Sequence, residues 1–145
     1  MARTDTWKPS NPKDAIGVKK AYVSVLPWGV LYELGLAMLE GALKYGRHNY
    51  REDGVRASTY MDALNRHMAS WWEGEDIDPD SGESHIVKAM ACLLVLRDSM
   101  LRENWVDDRP PKMPDGWMAS MNRKAAALIE RYPNPKEAFT EKGKK

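Results

Sequence analysis

Apolar positions recur at helical spacing in four stretches of the chain. In the first, Val30, Leu31, Leu34, Leu36, Met38, Leu39 and Leu43 occupy most of a helix circumference. Pro27 suits the first turn and Gly46 the stop. The spacing predicts a helix over 28–45, and one apolar nearly all round is expected to be buried. A second helix is read from Ser58, taken as its N-cap, through Trp72. Tyr60, Leu64, His67 and Trp71 form one stripe on it, and Asp62, Arg66 and Glu73 form an adjacent polar edge. Asp80-Ser81-Gly82-Glu83-Ser84 offers caps for a third helix over 84–102, with His85, Ala89, Cys92 and Leu96 on one face. A fourth, over 117–132, turns Trp117, Met121, Leu128 and Ile129 inward and stops at Pro133-Asn134-Pro135.

The intervening segments read as irregular. The prolines of Lys8-Pro9-Ser10-Asn11-Pro12-Lys13-Asp14 exclude a helix interior, so residues 1–27 are expected as an extended polar arm. Residues 47–57 read as a polar loop, 74–82 as an acidic loop and 104–116 as a linker or strap. The lysine-rich tail is expected to fray. No internal repeat is present. The expected fold is all-α: a helical bundle of three core helices plus a weaker C-terminal helix, with the extended arm in front. The domain boundaries follow as an arm over 1–27, a helical domain carrying the chemistry over 28–104, and a linker, amphipathic helix and basic tail over 105–145.

Composition agrees, since Ala, Leu and Met outnumber β-branched residues. A net charge of +1 gives no global argument for a nucleic-acid or membrane partner, and neither is expected. The single cysteine, Cys92, lies in an apolar run and reads as a small core residue. Without a disulfide framework, a CxxC pair, a spanning segment or a signal peptide, the expectation is the cytoplasm, or the host cytoplasm for a phage-encoded chain.

The chemistry begins on the first helix. Glu33, Ala37, Glu40 and Lys44 are 4, 3 and 4 apart and share one stripe amid apolar neighbours. Buried charges there need pairing or a metal; on a solvated face, Glu40 and Lys44 are an ordinary i,i+4 pair. Glu75-Asp76-Ile77-Asp78 puts three carboxylates in four residues, which reads as an acidic surface loop when taken alone. Combined with Glu33 and Glu40, it favours a pocket of four carboxylates for Mg²⁺ or Mn²⁺. His67 and His85 lie on core-facing stripes, where a satisfied core histidine is the commoner case. Lys13, Lys44, Arg47 and Arg66 are cations suited to phosphates. Tyr45, His48, Asn49, Tyr50 and Trp71 offer stacking faces and amide hydrogen bonds. No HD doublet, HExxH, P-loop, GxSxG or Cys/His pair occurs.

An ordered set of residues then carries a resemblance: Asn11-Pro12-Lys13-Asp14, Glu33, Gly41-Ala42-x-Lys44-Tyr45-Gly46-x-x-Asn49-Tyr50, Arg66-His67, Gly74-Glu75-x-x-Asp78, Ser81-Gly82 and His85. Over residues 8–98 the chain resembles the phage dATP/dGTP diphosphohydrolase (MazZ-like) family, itself similar to the all-α MazG-type NTP pyrophosphatases. Tyr50 stands where the family usually has Trp, Lys88 where it often has His, and Leu36 where the MazG-type helix repeats its Glu. The resemblance implies hydrolysis of dGTP or dATP to the monophosphate and pyrophosphate with Mg²⁺ or Mn²⁺, supplying dGMP for 2-aminoadenine DNA in such phages. The residues expected to carry it are Glu33, Glu75 and Asp78, with Glu40, as metal ligands. Water activated by the metal or a carboxylate attacks the α-phosphorus, and Lys44, Arg66 and Lys13 neutralise charge. Asp14, Tyr45, Asn49, His67 and His85 are the remaining nucleotide contacts. The helices have more apolar faces than one small domain covers, so a homodimer or homotetramer is expected. Two other classes compete. A nucleotide-sequestering protein without turnover keeps the cations and aromatics but needs no carboxylate cluster; a structural helical module needs neither.

Overall fold

The computed structural model describes residues 11–17 and 19–143. Its elements, in chain order, are α1 (Pro12–Gly17), α2 (Trp28–Tyr45), α3 (Asn49–Asp53), β1 (Val55–Arg56), α4 (Ala57–Trp72), α5 (His85–Leu101), β2 (Trp105–Val106) and α6 (Trp117–Glu130), then a 3₁₀ turn over Glu141–Gly143. The fold is all-α; its extended structure is a two-residue parallel pairing, Val55 with Trp105 and Arg56 with Val106. The chain divides into two compact units, one ending at Asp108 and one beginning at Arg109.

In the first unit α5 is the central helix, packing against α4 and α2. It starts where sequence logic puts it, because the Ser84 side chain accepts from the amides of Ile86 at 3.2 Å and Val87 at 3.5 Å, satisfying donors the first turn leaves free. Leu34 and Ala37 of α2 meet Val87 of α5, with Leu31, Met90 and Ala91 around them. Val55, Ala57, Ala89 and Val95 are also buried. Cys92 is half-buried, and burial pushes its thiol up, as befits a core residue.

Several expectations are corrected. Helix α2 is buried along one face only: Val30, Leu36, Leu39 and Leu43 are exposed, because α5 covers the Leu34–Ala37 side. Ser58 is not the N-cap of α4, which begins at Ala57 after Arg56. The Ser58 amide instead donates to Asp108 Oδ1 at 2.8 Å and its hydroxyl to Asp108 Oδ2, so a distant carboxylate does the capping. The polar loop over 47–57 contains a helical turn and a strand. The arm over 1–27 is helical from Pro12, a proline at the first helical position being compatible with it; Lys8, Pro9 and Ser10 lie outside the described residues. In the second unit Trp117, Met121, Leu128 and Ile129 are exposed rather than inward. Among the described residues no helix is long and apolar enough to cross a membrane.

Candidate active site

Helices α2, α4 and α5 and the turn between α2 and α3 enclose a cavity of about 600 Å³. Ala37, Met38 and Ala42 line it from α2, Tyr60 and His67 from α4, and Lys88 and Cys92 from α5. The sequence explains the turn. Gly46 has φ 96°, a left-handed value glycine adopts without strain, and His48 follows at φ 66°. The chain thereby doubles back and delivers Tyr45, Arg47, His48, Asn49 and Tyr50 to the rim. Two contacts fix it from behind: Arg51 Nε and Nη2 donate to the Asp98 carboxylate at 3.1 and 2.8 Å, and Asn104 Nδ2 donates to the Arg51 carbonyl at 2.8 Å. Gly54 lets the strands close, since a Cβ there would meet Asn104 Oδ1 at 2.7 Å.

A charged cluster lies next to the cavity. Glu40 accepts from Lys44, the i,i+4 pair expected from its spacing, and from Lys88 Nζ at 2.9 Å. Those two ammonium groups hold the Glu40 carboxyl below its usual range, and the Glu40 carboxylate in turn raises Lys44. The acidic loop is a tight antiparallel turn bridging Ile77 and Ser84. Within it Asp78 is buried, accepting from the Asp80 amide at 3.1 Å and the Ser81 hydroxyl at 2.9 Å. Burial works to raise Asp78, but those two donors, helped by His67 and His85, outweigh it and hold the carboxyl low. Glu83 goes the other way: burial raises it, opposed by Lys88 and aided by the charges of Glu40, Asp78 and Glu33. Its Oε2 is buried with no hydrogen-bond partner among the described residues.

The sequence-chosen residues thus fall into three groups. Tyr45, Asn49 and His67 line the cavity. Glu33, Glu40, Lys44 and Asp78 belong, with Glu83, to the charged cluster. Glu75 reaches buried His85, with Oε1 2.7 Å from Nε2, and His85 Nδ1 lies 2.9 Å from His67 Nδ1. Arg66 is exposed on α4, one residue from His67. Lys13 and Asp14 are exposed on α1, away from the cavity lining; the Lys13 amide donates to Asn11 Oδ1 at 3.0 Å. Lys88, noted in the sequence only as standing where the family often has His, and Glu83 are not among the sequence-chosen site residues. Lys88 was legible, as a cation one turn after His85 on the helix that faces α2. Glu83 was not, because its burial comes from the loop turn.

The donor chemistry fits a hard divalent cation. The charges of Glu33, Glu40 and Asp78 bear on Glu83, and a buried carboxylate oxygen without a hydrogen-bond donor suits a metal. Among the described residues no three His, Cys, Asp or Glu side chains converge as a preformed cage. Mg²⁺ does not require one, since it commonly takes one or two carboxylates and completes its shell with water and substrate phosphates.

A family model described as "dATP/dGTP diphosphohydrolase, N-terminal" matches residues 10–109. The chain belongs to the dATP/dGTP diphosphohydrolase family. The match spans the first unit from Ser10 and takes in the cavity, the charged cluster and the two histidines. No curated protein and no solved structure matches the chain.

Proposed function

We propose that this family member hydrolyses purine deoxynucleoside triphosphates, dGTP and dATP, to the monophosphate and pyrophosphate, using Mg²⁺ or Mn²⁺. One observation carries the reading: Lys88 lines the cavity and also donates to Glu40, so an aromatic, amide-bearing cavity and a carboxylate cluster share a wall. A nucleoside suits the first and a metal-bound triphosphate the second. Tyr45, Tyr50 and Tyr60 offer ring faces for a purine, and Asn49 offers an amide that both donates and accepts.

Glu33, Glu40, Asp78 and Glu83 are the residues that would hold the cation, and Glu75 orients His85. When bound, the cation supplies charge neutralisation of the phosphates and a Lewis acid at the α-phosphoryl group. Lys44 and Lys88, which donate to Glu40, are the cations that would serve phosphate oxygens if the metal ion engaged that carboxylate; a flexible stem would let each turn without backbone movement. Arg66 and Lys13 are further cations for the polyphosphate. The exposed apolar side of α2 supports a homodimer or homotetramer. The reading is tested with a panel of dNTPs and Mg²⁺ or Mn²⁺, scored for pyrophosphate. Release of orthophosphate or tripolyphosphate refutes it, and tight binding without turnover favours a sequestering protein.

A further inference from the structure

Three side chains form a hydrogen-bonded file that ends at the cavity wall. Glu75 Oε1 lies 2.7 Å from His85 Nε2, and His85 Nδ1 lies 2.9 Å from His67 Nδ1. His85 is 4% exposed, whereas His67 lines the cavity. Proton counting fixes the tautomers. An ionised carboxylate only accepts, so His85 Nε2 carries a hydrogen. A neutral His85 then has a bare Nδ1, and the hydrogen in the Nδ1–Nδ1 contact belongs to His67. Neutral His67 is therefore protonated on Nδ1 and bare on Nε2. Of the four ring nitrogens only His67 Nε2 neither carries nor accepts a hydrogen within the file, so it is the imidazole position that can take a proton from the cavity. The resulting positive charge can then pass towards Glu75 by a shift of the middle proton.

We propose that His67 Nε2 is the base that takes the proton from the attacking water, with His85 and Glu75 as positioning residues. The inference rests on the pyrophosphohydrolase reading above. The water O–H bond breaks to His67 Nε2, and the water oxygen bonds to the α-phosphorus. The bond from the α-phosphorus to the bridging oxygen breaks, and pyrophosphate leaves with the electron pair. The proton then returns to solvent or product. The surroundings suit a neutral base. Burial lowers the His67 pKa; the Asp78 carboxylate opposes this, and the Lys88 and Arg66 cations reinforce it. A carboxylate–imidazole pair behind a base is the arrangement that fixes its tautomer and stabilises its cation.

The chain has three histidines, so their ring nitrogens are separable by long-range ¹H–¹⁵N spectra of the wild-type protein. The expected result at neutral pH is His67 protonated on Nδ1 and His85 on Nε2. Finding His67 protonated on Nε2 overturns the file. In dGTP turnover, His67→Asn and His67→Gln should each lower kcat by about 10²–10⁴-fold with KM little changed, the range for losing a general base. A raised KM with unchanged kcat would make His67 a nucleoside contact and overturn the base role. His85→Phe should lower kcat and also release the His67 tautomer in the spectra, which a packing defect alone does not do. If the wild type hydrolyses no dNTP, the proposed function falls and the base role with it, while the tautomers still report whether the file exists.

Discussion

Glu83 shows how a residue acquires meaning that its local sequence does not carry. In the chain it is one acid in a cap-rich run before α5. In the fold its Oε2 is buried without a hydrogen-bond partner among the described residues, and Glu33, Glu40 and Asp78 add to the cost of ionising it. Glu40 was legible as a candidate because helical spacing put it with Glu33 and Lys44. Glu83 was not, since a turn closed by Gly82 at φ 75° sets its position. An ionised buried acid without a partner destabilises a metal-free protein at neutral pH. Glu83→Gln should therefore raise the melting temperature of the metal-free protein at pH 7, by about 2–4 °C for each kcal/mol relieved. It should also shrink the rise that Mg²⁺ or Mn²⁺ produces, because a ligand stabilises in proportion to its affinity for the folded state. Calorimetry with and without metal measures both; an unchanged metal response would remove Glu83 from the cation site.

Among the elements, the long helices were legible and the short ones were not, for a physical reason. Helices α2, α4 and α5 each run four turns or more, enough for apolar periodicity to declare itself, and Ser84 caps α5 as its residue type suggests. Five-residue α3 carries no period; Asp98 and Asn104, about fifty positions away, hold it. The start of α4 was displaced similarly, because Asp108 reaches back to cap it and Ser58 becomes a donor rather than the cap. The Ser58 hydroxyl and amide, with Arg56 nearby, hold the Asp108 carboxyl below its usual 3.8. A carboxyl lowered on folding stabilises above its unfolded pKa, and that stability is lost as pH falls through the folded value. Asp108→Asn should consequently melt a few degrees below wild type at pH 7, and the gap should close as pH falls below 3.8. A gap that persists at low pH would mean that Asp108 acts by shape rather than charge.

At the scale of the molecule, the question is what covers α2. Its buried side, Leu34 and Ala37, faces α5. On the opposite side Trp28, Tyr32, Leu36, Leu39 and Leu43 are spaced 4, 4, 3 and 4 apart, all uncharged and all exposed, and Leu39 also reaches the cavity lining. The apolar periodicity is legible in the sequence and the exposure of this side is not, because α5 covers the Leu34–Ala37 side. An uncharged stripe is complementary to its own copy about a two-fold axis, which is the commonest way a small protein closes such a face. Leu39 both belongs to the stripe and lines the cavity, so pairing through it would also seal one edge of the proposed nucleotide site. Light scattering at micromolar concentration should therefore give a mass of at least two chains for the wild type. Leu36→Glu, which buries a charge only if the stripe is covered, should give a monomer with unchanged helical circular dichroism and reduced dGTP turnover. A wild-type monomer, or a Leu36→Glu protein that still associates, would place the subunit contact elsewhere or remove it.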